Sequence, residues 1–287
     1  MIRTYVAPEQ PSKSKAIVGI ASSITWAFII SYIYGVIIAV SPLVYFNFFI
    51  TVGFGLTLGY GVRIISKLSS IIDKKTSTKI SLASGALGIY FSWVVYILYF
   101  LAQDSLFDSY FIEPFLVFNP IEVFQIITEI NTHGLWEIFG IPFNGWILAI
   151  IWMIEAAIIM IVSTLVVKNQ PQSPFSLRHD KWYKKYILHK DFESIALQEN
   201  FRKDLATNCK EVIGLLGNGL AYHHAMISIF FLEEENEQYL TVENVRNDKS
   251  GKRINSTEVT HLLPISRDEA KELIEKYHGK KAFVFDY

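Results

Sequence analysis

Apolar residues gather into four long stretches of the chain, broken by short polar interruptions. A helix needs roughly 20 predominantly apolar residues to cross about 30 Å of hydrocarbon. Ala16–Val40, Leu43–Ile65, Ile80–Leu101 and Gly145–Val167 all reach that length. Between the first two, Ser41-Pro42 suits a helix cap followed by a first-turn proline, so the second span starts almost at once. Between the third and fourth a shorter period appears. Asn119-Pro120-Ile121-Glu122 is a helix start, with a capping residue, a proline and an acid in the first turn. Val123, Ile126, Ile127 and Ile130 share one face, and Glu122, Gln125, Glu129 and Thr132 share another. His133-Gly134 stops it. A helix over 120–132 is only about 20 Å long, too short to span. It is expected on the outer surface or as a re-entrant element, either a lid packed on the bundle or the mouth of a binding cavity. Trp136, Phe143 and Trp146 would sit near headgroup level.

Beyond Val167 the pattern changes. Asn169–Pro174 is a polar, proline-containing linker. Leu177–Lys190 is basic and aromatic, with Trp182, Tyr183, Tyr186 and Ile187 at helical spacing. It predicts an interfacial element held to anionic lipid through Arg178, Lys181, Trp182, Lys184 and Lys185, or else the first helix of the soluble part. From Asp191 to about Leu216 the period is again helical, and Gly217-Asn218-Gly219 ends it. Three strand-like runs follow, at 225–232, 238–246 and 253–263, separated by polar turns as in a meander. Ser266-Arg267-Asp268-Glu269 is a capping-box signature for a helix ending at Gly279, and a short strand at 282–285 would close the chain.

The expected fold class is therefore a membrane all-α four-helix transmembrane bundle with a C-terminal soluble α+β domain. Residues 1–15 form a cytoplasmic N-terminal segment and 16–168 the four-span domain with its outer helix. Residues 169–190 are linker and basic juxtamembrane segment, and 191–287 the cytosolic α+β domain, large enough for one core.

Charge fixes the orientation of this scheme. Only 18% of residues are charged, below the roughly 25% of an ordinary globular chain, and they are segregated. No Lys or Arg occurs from Ile80 to Val167. Arg3, Lys13 and Lys15 precede the first span, Arg63, Lys67, Lys74, Lys75 and Lys79 separate the second from the third, and Lys168, Arg178, Lys181, Lys184 and Lys185 follow the fourth. The remaining loop carries Asp104, Asp108, Glu113, Glu122, Glu129 and Glu137 and no base. Basic loops stay in the cytoplasm, so both termini are expected there, in a multi-pass inner-membrane protein. Abundant Ile, Lys, Asn, Phe and Tyr hint at a bacterial source. The first apolar run is longer than a signal-peptide core and lacks an A-x-A site, so it reads as a retained span. A net charge of −1 creates no field that would draw nucleic acid. The single Cys209 excludes an intrachain disulfide and a cysteine-based zinc cluster.

Two intramembrane features carry candidate chemistry. Gly53, Gly55, Gly59 and Gly61 crowd the second span, and Ser84, Gly85 and Gly88 the third. Small residues let helices approach closely in lipid, so spans two and three are expected to pack on each other through these faces. Homodimerisation through them is the alternative, and a pore or ligand lining a third. Glu155 stands inside the fourth span, with no Lys or Arg in the middle of any span to pair with it. A charge there costs at least about 2.5–3.5 kcal/mol, so Glu155 should face the bundle and stay mostly protonated. It either donates a hydrogen bond to a polar neighbour such as Thr25, Ser31, Tyr32, Asn47, Thr57, Ser92 or Tyr96, or it titrates or binds a cation. The soluble part offers little. The glycine-rich turn lacks the lysine and hydroxyl of a phosphate loop, His223 and His224 would point opposite ways on a strand, and no metal or cofactor set stands out.

These features favour a membrane protein that anchors a small cytosolic interaction or sensory domain. Its associates would be membrane lipid and a protein partner or second copy, without cofactor or nucleic acid. The alternative is a small transporter, channel or channel subunit that uses Glu155. A membrane-embedded enzyme fits least, since no catalytic constellation is visible.

Overall fold

The computed structural model describes residues 5–6, 13–41, 44–103, 114–134, 137–138, 141–170 and 172–282. Pro42, Asp104, Asp108, Glu113, Trp136 and all but the first residue of the expected terminal strand lie outside the described residues. The chain divides into two compact units, residues 12–170 and residues 171–287 joined by 1–11.

In the first unit the chain order is α1 (Lys13–Val40), α2 (Val44–Leu68), α3 (Lys74–Gln103), a 3₁₀ turn (Pro114–Phe118), α4 (Pro120–His133), a two-rung ladder of β1 (Glu137–Ile138) and β2 (Ile141–Pro142), and α5 (Gly145–Lys168). Among the described residues, α1, α2, α3 and α5 are long and apolar enough to cross a membrane. The α3 helix begins a turn and a half before its apolar stretch because Asp73 caps it. The Asp73 carboxylate accepts the backbone N–H groups of Lys75 (3.1 Å) and Thr76 (2.8 Å) and the Thr76 hydroxyl. That hydroxyl bond, followed by the two N–H bonds, holds the carboxyl below the usual carboxylate range.

Around the bundle the order is α1, α2, α5, α3, so α2 and α3 face each other across its diagonal. The outer helix α4 follows its sequence pattern. Asn119 accepts from the Glu122 N–H (3.3 Å) and donates to the Glu122 carboxylate (2.7 Å), and Gly134 at φ 76° returns its N–H to Ile130. Val123, Ile126, Ile127 and Ile130 pack on Val94, Ile97 and Leu116, and Tyr90 donates to the carbonyl of Val117 (2.8 Å). The helix is thus a lid seated on α3. A second apolar edge, Phe118, Ile121 and Phe124, stays exposed.

The second unit holds a five-stranded antiparallel sheet. In chain order the elements are β3 (Phe175–Ser176), β4 (Lys181–Trp182), β5 (Lys184–Ile187), α6 (Gln198–Thr207), α7 (Cys209–Leu215), β6 (His223–Phe231), β7 (Glu237–Asn247), β8 (Arg253–Ser266), α8 (Arg267–Lys276) and β9 (Lys280–Lys281). The sheet order is β8-β7-β6-β5-β9, with β3 and β4 forming a separate short hairpin. Strand alternation divides the side chains. Ala225, Ile227, Ile229, Leu240 and Val242 face the three helices, while Phe230 and Tyr239 face the other side with Tyr183 and Leu262. Both faces of β6 are covered, which is why it reads as a continuous apolar run. Ser266 caps α8 with the expected reciprocal box to Glu269.

One sequence expectation is overturned here. Residues 181–182 and 184–187 are strands where the spacing predicts a helix, and β5 pairs with both β6 and β9. The compact unit therefore begins at Pro171, not at Asp191. The acidic turn after β6 ties the segment down, through Glu234 to Lys181 and Glu235 to Ser176. The aromatic spacing fits a helix, but alternation fits equally well, and only the neighbouring strands decide between them.

The N-terminal segment is also drawn in. Tyr5 donates its N–H to the carbonyl of Leu262 (3.2 Å), accepts the Phe175 N–H on its hydroxyl (3.1 Å), and meets Tyr239 edge to face at 5.0 Å. Burial pushes the phenols of Tyr5, Tyr183 and Tyr239 up. Residues on both sides of the bundle sequence thus contribute to one domain.

Candidate functional site

The site grows from the contact between α2 and α5. A Cβ on Gly55 would lie 3.1 Å from Val162, and one on Gly59 would lie 2.7 Å from the carbonyl oxygen of Ser163. Contacts advance in the same direction on both helices, so α2 and α5 run parallel. The small face of α2 therefore seats α5, not α3. Gly85 of α3 likewise faces Met160 of α5 (2.8 Å), whereas Gly88 faces Leu58 (3.0 Å) of α2 and Ser31 of α1 (3.5 Å). Gly61 lies under the Trp26 indole, whose N–H donates to the carbonyl of Thr57 (3.2 Å). Ser84 is buried. Gly53 faces open space and packs on nothing.

One turn before Gly55 on α2 stands Thr51, and one turn before Ile159 on α5 stands Glu155. Thr51 is fully buried and lies 3.1 Å from the Tyr34 hydroxyl of α1. The Tyr34 ring stacks flat on Phe54 at 4.2 Å, which holds the hydroxyl in place. Glu155 is half-buried, close enough to Tyr34 for the two to interact electrostatically. One turn above Thr51, the side-chain oxygen of Asn47 is buried without a hydrogen-bond partner. The Tyr34–Thr51 pair of α1 and α2 thus lies within electrostatic reach of the Glu155 carboxyl of α5.

The hydrogen bond expected of Glu155 does not form among the described residues. Thr25, Thr57 and Ser92 turn their hydroxyls to carbonyls of their own helices, and Ser31 lies within reach of the Ala27 carbonyl of its own helix (2.6 Å) and the Gly88 carbonyl of α3 (2.9 Å). Tyr34 and Thr51 escaped the sequence reading. The signal lay in α1, where Gly19, Ser23, Ala27, Ser31 and Gly35 recur every four residues and mark its buried face.

The basic and aromatic residues expected at headgroups are spread over the β3–β4 turn, β4 and β5, with different neighbours. Arg178 is exposed in the β3–β4 turn, Lys181 pairs with Glu234, and Trp182 meets Phe175 edge to face at 4.9 Å. Lys184 is exposed, and Lys185 lies 6.0 Å above the Phe230 ring. Elsewhere in the domain, His223 meets Ser194 (3.1 Å), and His224 meets Asp191 (3.4 Å) and the Leu220 carbonyl (3.3 Å). Gly219 is glycine because the Phe192 carbonyl and the His224 side chain occupy the place of a Cβ. Among the described residues no group of three or more His, Cys, Asp or Glu could hold a metal ion. Cys209 is buried, and burial, with Glu269 nearby, pushes its thiol up to about 12. It should react with iodoacetamide only when the domain unfolds. Rapid alkylation of the native protein, followed by mass spectrometry, would contradict its burial.

No family model, curated protein or solved structure matches the chain.

Proposed function

We propose that the chain is a multi-pass inner-membrane protein whose bundle anchors a cytosolic interaction or sensory domain through two tethers. The observation that carries this reading is Tyr5. It precedes the first span, yet it packs in the domain that follows the fourth. A domain entered from both ends of a bundle can feel a shift of α1 relative to α5, which a domain on a single linker cannot. A shared domain also favours termini on one side of the membrane, and the basic loops assign that side to the cytoplasm.

Two measurements test this. With Cys209 buried, single cysteines at Thr132 and Ser250 can be read directly. An impermeant maleimide on intact cells should label the first and spare the second; labelling of both, or of Ser250 alone, would reverse the topology. For function, a photo-cross-linking residue at exposed Tyr222 should give a discrete protein adduct in native membranes. Purified protein in vesicles should hold a proton gradient as well as protein-free vesicles do.

The unpaired Glu155 favours a second reading, a proton or cation site. A half-buried carboxyl in an apolar span, without a hydrogen bond among the described residues, destabilises the fold, so its presence calls for a use. A purely structural acid would lose about 0.6 kcal/mol, up to ~1.7, on Glu155→Leu. The geometry predicts the opposite: Glu155→Leu should melt at the same temperature or higher. If vesicles leak protons and Glu155→Gln stops the leak while remaining folded, the transporter reading replaces the first.

A further inference from the structure

Toward the C-terminal ends of α2 and α5, a groove of about 330 Å³ opens on the bundle surface. Val166, which a Cβ on Gly59 would meet at 2.8 Å, is part of its lining. Arg63 and Asn169 stand at one end, and Tyr60, Leu56, Val162 and Leu165 line the rest. Seven residues separate Arg63 from Leu56, so about 10 Å of largely apolar wall runs away from the guanidinium. One terminal nitrogen of that guanidinium, Nη2, is shielded from solvent and has no hydrogen-bond partner. Lys67, one turn on, brings a second positive charge within electrostatic reach of it. A planar donor fork with one unpartnered nitrogen, beside apolar walls, suits an anion with an apolar tail.

We propose that this groove binds one acidic glycerophospholipid. The phosphate takes the Arg63 fork, to which guanidinium geometry is matched. Asn169 and Tyr60 flank the headgroup, and an acyl chain lies along Leu56, Val162 and Leu165. The basic side of the protein faces the leaflet where anionic lipid attracts cations. A zwitterionic lipid binds less tightly because its own ammonium competes with Arg63 for the phosphate.

The test uses the full-length protein in detergent, titrated with phosphatidylglycerol, with phosphatidylcholine of the same chains, or with inorganic phosphate. Thermal stability and native mass spectrometry provide the readouts. Phosphatidylglycerol should raise the melting temperature and remain bound at least about tenfold more tightly than phosphatidylcholine, the scale of one charge-assisted hydrogen bond. Inorganic phosphate should have no such effect. Arg63→Gln should abolish the preference. If that variant does not fold, Leu165→Trp decides, because it fills the groove while leaving Arg63 in place, and it too should lose the preference. Equal affinity for the two lipids, an undiminished preference in the folded Arg63→Gln protein or in Leu165→Trp, or an equal shift with inorganic phosphate would overturn the assignment.

Discussion

A fragment of residues 191–287 should fail to fold, whereas residues 172–287 should unfold cooperatively in urea. The shorter fragment lacks β5, which lies between β6 and β9 and supplies their hydrogen-bonding partners on both sides. It also loses Phe175, Tyr183 and Leu188, all buried. Each large apolar side chain contributes about 1.5–3 kcal/mol when fully buried, and a domain's whole stability is only about 5–15 kcal/mol. Removing three of them together with a central strand exhausts most of that margin. Circular dichroism of both fragments is the measurement, and a cooperative, strand-rich melt of 191–287 would contradict the sheet order. The longer fragment lacks Tyr5, so its midpoint should lie below that of the domain in the intact chain.

The second large effect lies in the bundle. Gly59→Val should destabilise the protein strongly, while Gly53→Val should be tolerated. A side chain at Gly59 meets backbone atoms of Ser163, at 2.7 Å for the carbonyl oxygen and 3.0 Å for Cα, and Val166 at 2.8 Å. Backbone cannot rotate away as a side chain can, so α2 and α5 must separate. Overpacking of this kind costs about 1–3 kcal/mol and more where the helices are forced apart. At Gly53 there is nothing to strike. Thermal melts of the two variants in the same detergent provide the comparison. Equal losses would mean that α2 presents a different face to its neighbours.

Four apolar stretches, one lid helix, three strands and a capped C-terminal helix were all readable in the linear pattern. Each declares itself locally. A span is a matter of length and hydropathy, α4 and α8 carry their own caps, and β6, β7 and β8 are long enough to separate from helix by period. The segment from Phe175 to Ile187 did not declare itself, because runs of two to four residues satisfy helical and strand spacing alike. β3 and β4 are settled by pairing with each other, and β5 by β6 and β9, which lie far away in sequence.

The candidate site was legible only in part. Glu155 stands out because a lone carboxylate is conspicuous among apolar residues. Its surroundings do not, because an apolar helix has no sequence feature naming its neighbour. Gly55 and Gly59 announce that something packs closely, and the tertiary arrangement alone makes that something α5, leaving α3 across the diagonal. The same arrangement brings Tyr34 within electrostatic reach of Glu155 and leaves Arg63 Nη2 without a hydrogen-bond partner among the described residues. Sequence by itself determined which segments must leave water, since transfer free energy depends on composition and length. Which faces meet was decided in three dimensions, because packing in lipid depends on shape between helices, and shape is a property of pairs.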